Sequence, residues 1–167
     1  MKIKLYQLEK SLKLFIAVFV IVLSVGVIMG LTYLSQTTKY SPNKAIERFK
    51  GSQVNKNVDV LEIPDSYPKP ISEMLITTHN HIIGFSLILF AVGFIFYFNS
   101  IISGSLKLFL MIEPLISTII TFGSIWGMRY LSEVFVYFAA ISSILLYLSL
   151  FTMVVIILFE LLFKKAE

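Results

Sequence analysis

The sequence predicts an all-α integral membrane protein, a four-helix bundle with one extended extracytoplasmic loop. Three observations lead there. The 167 residues are 57% hydrophobic, with a mean hydropathy of +0.86, far more apolar than a soluble domain requires. Only 14% are charged, against roughly 25% in an ordinary soluble protein. The charges also cluster, leaving uncharged runs long enough to cross a bilayer, for which about 20 apolar residues suffice. Four spans and one loop use residues 1–167, so a single membrane domain is expected. This composition excludes a soluble enzyme. Cysteine is absent, which removes a disulfide framework and a thiolate metal site. The net charge of +4 forms no basic stripe, so nucleic acid is not an expected partner. The lysines flank apolar runs instead, where anionic lipid head groups are the natural contact.

Taken in order, Lys2, Lys4, Lys10 and Lys13 lead into residues 14–34, which carry no charge. A secretory signal has a similar basic start, but its apolar core is only about 7–15 residues long. The stretch therefore reads as an uncleaved first span, with Tyr33 as an interfacial anchor. An outer loop follows over residues 35–72. Within it Ser41 can cap a short helix, Pro42 suits the first helical position and Gly51 suits the stop. Ala45, Ile46 and Phe49 share one face of that helix, which would lie on the membrane surface or over the bundle mouth. The rest of the loop, with Pro64, Pro68 and Pro70, is expected to be extended and irregular. Ser72 then caps the helix of the second span, about 74–98. Asn99-Ser100 and Ser103-Gly104-Ser105 make a turn, and Lys107 opens the third span, about 107–128. Arg129 to Glu133 form a tight connection, and the fourth span covers about 134–162, before Lys164 and Lys165.

Basic residues set the orientation. With both termini cytoplasmic, that side holds Lys2, Lys4, Lys10, Lys13, Lys107, Lys164 and Lys165. The other side holds Lys39, Lys44, Arg48, Lys50, Lys56, Lys69 and Arg129. The totals are equal, but the first set is denser in short segments and precedes the first span, which usually dominates. The expectation is a multi-pass protein of the inner (plasma) membrane with both termini inside.

Gly26/Gly30 and Gly123/Gly127 form two G-x-x-x-G pairs, and Gly84, Gly93, Ala139, Ser142 and Ser143 add small residues to the other spans. Small residues let helix backbones approach closely. Both pairs, Gly84 and the fourth-span set fall in the outer half, so that half is expected to be the tight one. The inner half instead carries bulky residues such as Phe94, Phe96, Phe98, Phe109, Phe151 and Phe159.

Candidate chemistry centres on Thr77-Thr78-His79-Asn80-His81-Ile82-Ile83-Gly84, which holds both histidines. Outside it, only Glu113 and the pair Arg129/Glu133 are expected to carry ionisable chemistry close to a span. His79 and His81 are two residues apart, about 200° around a helix, so they cannot grip one metal together. The His79 face continues through Ile83, Ser86, Phe90, Gly93 and Tyr97. It is the smaller and more polar face, which predicts that His79 points into the bundle. Residues 82–98 alone rise about 25 Å, so both histidines can also sit harmlessly at the interface. Glu113 lies within the third span, where ionisable groups are costly and often functional. Pro114 removes a backbone bond there and predicts a kinked span with Glu113 neutral or paired. The alternative is that the helix begins at Glu113-Pro114.

Thr78-His79-Asn80-His81 with Gly84, at the start of a membrane helix, resembles the T-H-x-H-x-x-G opening of several bacterial membrane families. These include small four-span proteins and haem-ligating helices of larger respiratory proteins. The segment Ala45-Ile46-Glu47-Arg48-Phe49-Lys50-Gly51 is likewise similar to a loop of the small proteins. The resemblance implies a haem b or metal ligand at His79 or His81. Because both lie on one helix, a second axial ligand would have to be Met128, a partner subunit or a symmetry mate. Arg129 could then meet a propionate, although snorkelling or pairing with Glu133 is the simpler role.

Hydrolytic motifs such as H-E-x-x-H, G-x-S-x-G and the Walker loop are absent. Three functions remain open. They are an accessory or structural subunit of a larger membrane assembly, with a membrane protein partner or homo-oligomer; a redox-linked subunit binding haem b or a metal; and a small transporter.

Overall fold

The computed structural model describes residues 3–52 and 66–164. Among these the protein is all-helical, with four long helices apolar enough to cross a membrane. Helix α1 runs Lys10–Thr38, the short α2 Pro42–Lys50, α3 Ile71–Tyr97, α4 Gly104–Tyr130 and α5 Phe135–Leu162. A single 3₁₀ turn at Leu5–Gln7 precedes α1. The irregular loop stretch containing Pro64 lies outside the described residues.

The helices extend beyond several boundaries read from hydropathy. Helix α3 begins at Ile71 with Pro70 as its cap, so Ser72 sits inside the first turn rather than capping it. Helix α4 begins at Gly104, not at Lys107, because Gly104 takes a positive φ of 68° that starts the helix directly after the turn. Pro114 stands inside this continuous helix, which rules out a helix start at Glu113. In α2 the predicted ends hold. Pro42 occupies the first position and Gly51 closes the helix at φ 87°. A Cβ on Gly51 would lie 2.8 Å from the Pro68 ring, so only glycine fits. Ser41 holds the cap position without a side-chain hydrogen bond.

Helix α5 is the hub, packing against α4, α3, α1 and α2, and also against the 3₁₀ turn. It is the most buried span and α1 the least. Leu5 N–H donates to the Phe98 carbonyl at 3.1 Å, and Lys164 Nζ donates to Ser100 Oγ at 2.8 Å. The first turn, the α3–α4 turn and the end of α5 therefore share one end of the bundle, here the terminal end. The other, loop end gathers α2, the start of α3 and the α4–α5 connection. There Lys50 pairs with Glu133 at 2.7 Å, and Trp126 Nε1 donates to Thr78 Oγ1 at 2.9 Å. The left-handed residues Lys39 and Tyr40 turn the chain from α1 into α2. That reversal sets the Arg48 guanidinium 3.0 Å from the Tyr33 hydroxyl, which gives the interfacial tyrosine a polar partner.

The expected tight half is reversed. The hydrophobic core cluster joins Leu5, Val20, Leu89, Phe96, Met153 and Ile157 with their neighbours, towards the terminal end, where bulky side chains interlock. A Cβ added to Gly26, Gly30, Gly84, Gly93 or Gly123 would meet nothing within 4 Å. Among the glycines within the four spans, Gly127 is the close-approach one, its added Cβ lying 2.7 Å from the Phe135 ring. Ser142, buried and 2.7 Å from Thr121 Oγ1, is a small residue that does join helices.

Candidate functional site

Three polar constellations interrupt the apolar bundle, at the loop end, midway along α4 and at the terminal end. At the loop end, helical phase carries His81 rather than His79 towards α4. The His81 ring lies 5.2 Å from Phe122 and 6.4 Å from Phe85, which itself meets Phe122 and Tyr147. His79 is exposed on the far side of α3, so the expectation that it points into the bundle is overturned. The pattern of small residues misled because α3 packs through Leu89, Val92 and Phe96, not through its small-residue face. His81 Nδ1 lies 2.7 Å from the Thr77 carbonyl. A carbonyl only accepts, so this nitrogen carries the proton, and in the neutral ring it is Nε2 that keeps a lone pair.

That tautomer suits a metal or haem ligand, because a second hydrogen bond of this kind fixes ring orientation. The rest of a haem site is not assembled around it. Met128 is buried, while the His81 ring stays largely exposed. The ring sits at the level of Phe122, six residues and about 9 Å of helix rise from Met128. Among the described residues no three His, Asp or Glu side chains converge to hold a metal. The residues therefore fit a single ligand, His81 Nε2, and not a two-ligand haem within one chain.

Arg129 is not paired with Glu133, because Glu133 is taken by Lys50 from α2. The Arg129 guanidinium lies over the Tyr130 ring at 5.2 Å, and its Nε is buried without a hydrogen-bond partner among the described residues. The Lys50–Glu133 pair is exposed and contributes little energy, but it fixes α2 across the loop end.

Midway along α4, Glu113 accepts from Ser117 Oγ and from Ser149 Oγ of α5, each at 2.5 Å. It has no lysine or arginine partner among the described residues, and it lines a groove of about 490 Å³ with Ser105, Leu108, Ile116, Ile120 and Leu145. The sequence predicts a kinked span with Glu113 neutral or paired; α4 runs on through Pro114 as one helix, and the hydrogen-bond partners of the carboxylate are two serine hydroxyls. Glu113 and His81 belong to different levels and do not form one site.

Glu160 at the terminal end is a group that hydropathy reading missed. It is fully buried, and its carboxylate accepts from the Ser100 backbone N–H at 2.7 Å and the Ser100 hydroxyl at 2.8 Å. Lys164 donates to the same hydroxyl. Asn99, also fully buried, accepts on Oδ1 from the N–H groups of Ile101 and Ile102, and its carbonyl accepts from Lys107 at 2.9 Å. The α3–α4 turn is thus fastened from inside by a side chain of α5. The signal was available in principle. Glu160 is the only charge between Val134 and Phe163 and precedes Lys164 by four residues, but that spacing also describes a solvated helix end.

Compared with known proteins, residues 39–167 match a family model described as a transmembrane helical domain. The match begins directly after Thr38, the last residue of α1, and takes in α2 to α5. No curated protein and no solved structure matches the chain.

Proposed function

The chain belongs to the transmembrane helical domain family Aq_1264_TM, and from that premise we propose that this small polytopic membrane protein is an accessory subunit of a larger membrane assembly. The observation that carries the reading is the set of open glycines. Gly26 and Gly30 on α1, the least buried span, could accept a backbone at close range, and among the described residues no other part of the structure comes within 4 Å of a Cβ added at either position. Membrane helices associate through such small-residue surfaces, since lipid offers no hydrophobic drive between them. The unused pair is therefore read as a seat for a partner helix. Extracted in mild detergent, the chain should migrate in a discrete complex larger than itself. Gly26→Leu and Gly30→Leu should release it from that complex without changing its own melting. A native chain that always migrates alone would end this reading.

From the dense lysines at the terminal end we infer that this end faces the cytoplasm, with the plasma membrane as the host membrane. Reporters fused after Ser100 and at the C-terminus should be cytoplasmic, and one inserted in residues 53–65 should be exported. An exported C-terminal reporter would invert the topology.

A redox reading is favoured by one feature, the hydrogen bond from His81 Nδ1 to the Thr77 carbonyl, which leaves Nε2 as the ligating nitrogen of the neutral ring. It assigns haem b or a metal to His81, with the second ligand supplied by another chain. His81→Ala should then abolish a Soret band near 400–430 nm while His79→Ala preserves it. Protein from a host supplying haem and metals that shows neither absorbance nor metal removes this second reading.

A further inference from the structure

Glu113 stands in an exposed stripe of α4 formed by Leu108, Phe109, Ile112, Ile116 and Ile120. These positions follow the helical repeat of three and four residues, so they make one continuous face. From Ser105 to Ile120 that face rises about 22 Å, roughly four turns. It borders the groove of about 490 Å³, to which α5 contributes Leu145. The groove wall is apolar apart from Ser105, Ser117 and the carboxylate. An acyl chain matches such a wall but gives nothing to Glu113.

The carboxylate is half satisfied. Ser117 and Ser149 donate one hydrogen bond to each oxygen, and a carboxylate has about four acceptor positions. No lysine or arginine among the described residues reaches it. A charge at this depth is costly without a counter-ion, and buried carboxylates bind cations more strongly than water-exposed ones. The apolar face continues over about four helical turns, a length that a partner helix can follow and a compact molecule cannot.

We propose that this face of α4 seats a transmembrane helix of a partner protein that presents a lysine or arginine to Glu113. Glu113 lies nine residues beyond Gly104, so the cation belongs about 13 Å from the corresponding end of the partner helix. The proposal rests on the accessory-subunit reading for the existence of a partner. It assigns that partner a second seat, separate from α1, and a charge.

The test uses the full chain in phosphatidylcholine vesicles with a designed leucine-rich single-span peptide. One peptide carries a lysine at the stated depth and its twin carries glutamine there. By energy transfer, the lysine peptide should associate with the wild-type chain about tenfold more tightly than its twin, and Glu113→Gln should erase the difference. Ile116→Trp fills the groove while keeping the Glu113 side chain in the sequence and should weaken both peptides. Helical content and melting of each variant verify that it is folded. Equal association of the two peptides with wild type, or a lysine preference that survives Glu113→Gln, overturns the proposal. So does saturable binding of tetraphenylphosphonium to wild type but not to Glu113→Gln without any peptide preference, which would make the groove a site for a free hydrophobic cation. A peptide failure beside an intact native complex overturns this seat alone, whereas a native chain that migrates alone overturns the accessory reading.

Discussion

Glu160→Leu should lower stability by about 3 kcal/mol. The carboxylate is fully buried and holds both donors of Ser100. Hydrogen bonds to a charged group contribute about 1.5–3 kcal/mol, and a buried N–H left without its acceptor costs about 1–3 kcal/mol. Leucine would remove both acceptors and leave the Ser100 N–H without its partner. It would also leave the Lys164 ammonium beside a hydroxyl with no carboxylate behind it. Glu160→Gln keeps one carbonyl acceptor and should lose about 1 kcal/mol. Detergent-solubilised protein unfolded by heat or by added denaturing detergent provides the measurement. If Glu160→Leu melts with wild type, α5 does not fasten the α3–α4 turn in the way the hydrogen bonds indicate.

The two glycines of the α4 pair should respond in opposite ways, with Gly127→Leu destabilising by about 2–3 kcal/mol and Gly123→Leu staying within about 0.5 kcal/mol. A Cβ at 127 would stand 2.7 Å from Phe135, while one at 123 meets open space. Phe135 cannot withdraw freely, because it starts α5 and its ring also meets Phe138. The Gly127 carbonyl additionally accepts from the N–H groups of Leu131 and Ser132, at 2.8 and 3.0 Å, which close α4. Forcing the backbone aside would disturb that closure as well. Equal melting of the two variants would count against the tight contact at Gly127. A Gly123→Leu chain that keeps its own stability but leaves its native complex would support an external use of that face.

What could be read of the site without coordinates followed the same division. The T-H-x-H stretch identified the histidines, but their facing depended on which side of α3 packs. That side is chosen by Leu89, Val92 and Phe96 meeting α5 and the neighbouring spans, a match between distant residues. Arg129 and Glu133 are four apart and looked like partners, yet Lys50, 83 residues away, takes the glutamate. Glu113 was conspicuous because a carboxylate inside an apolar run has no cheap environment. Its serine partners are only partly local, since Ser117 lies one turn on but Ser149 belongs to another helix.

By itself the sequence determined that this is an all-helical, four-span membrane protein, because lipid requires each spanning segment to satisfy its own backbone within about 20 apolar residues. That requirement is local, so hydropathy, Pro42 and Gly51 suffice to express it. Only the tertiary structure decided that bulky side chains rather than glycines form the tight end, that His81 and not His79 meets α4, and that Glu160 is a buried clamp. Each of these depends on which faces meet across the bundle, and in a membrane every face of a helix is apolar. Hydrophobic periodicity then carries no direction, and only the fit of particular side chains chooses one.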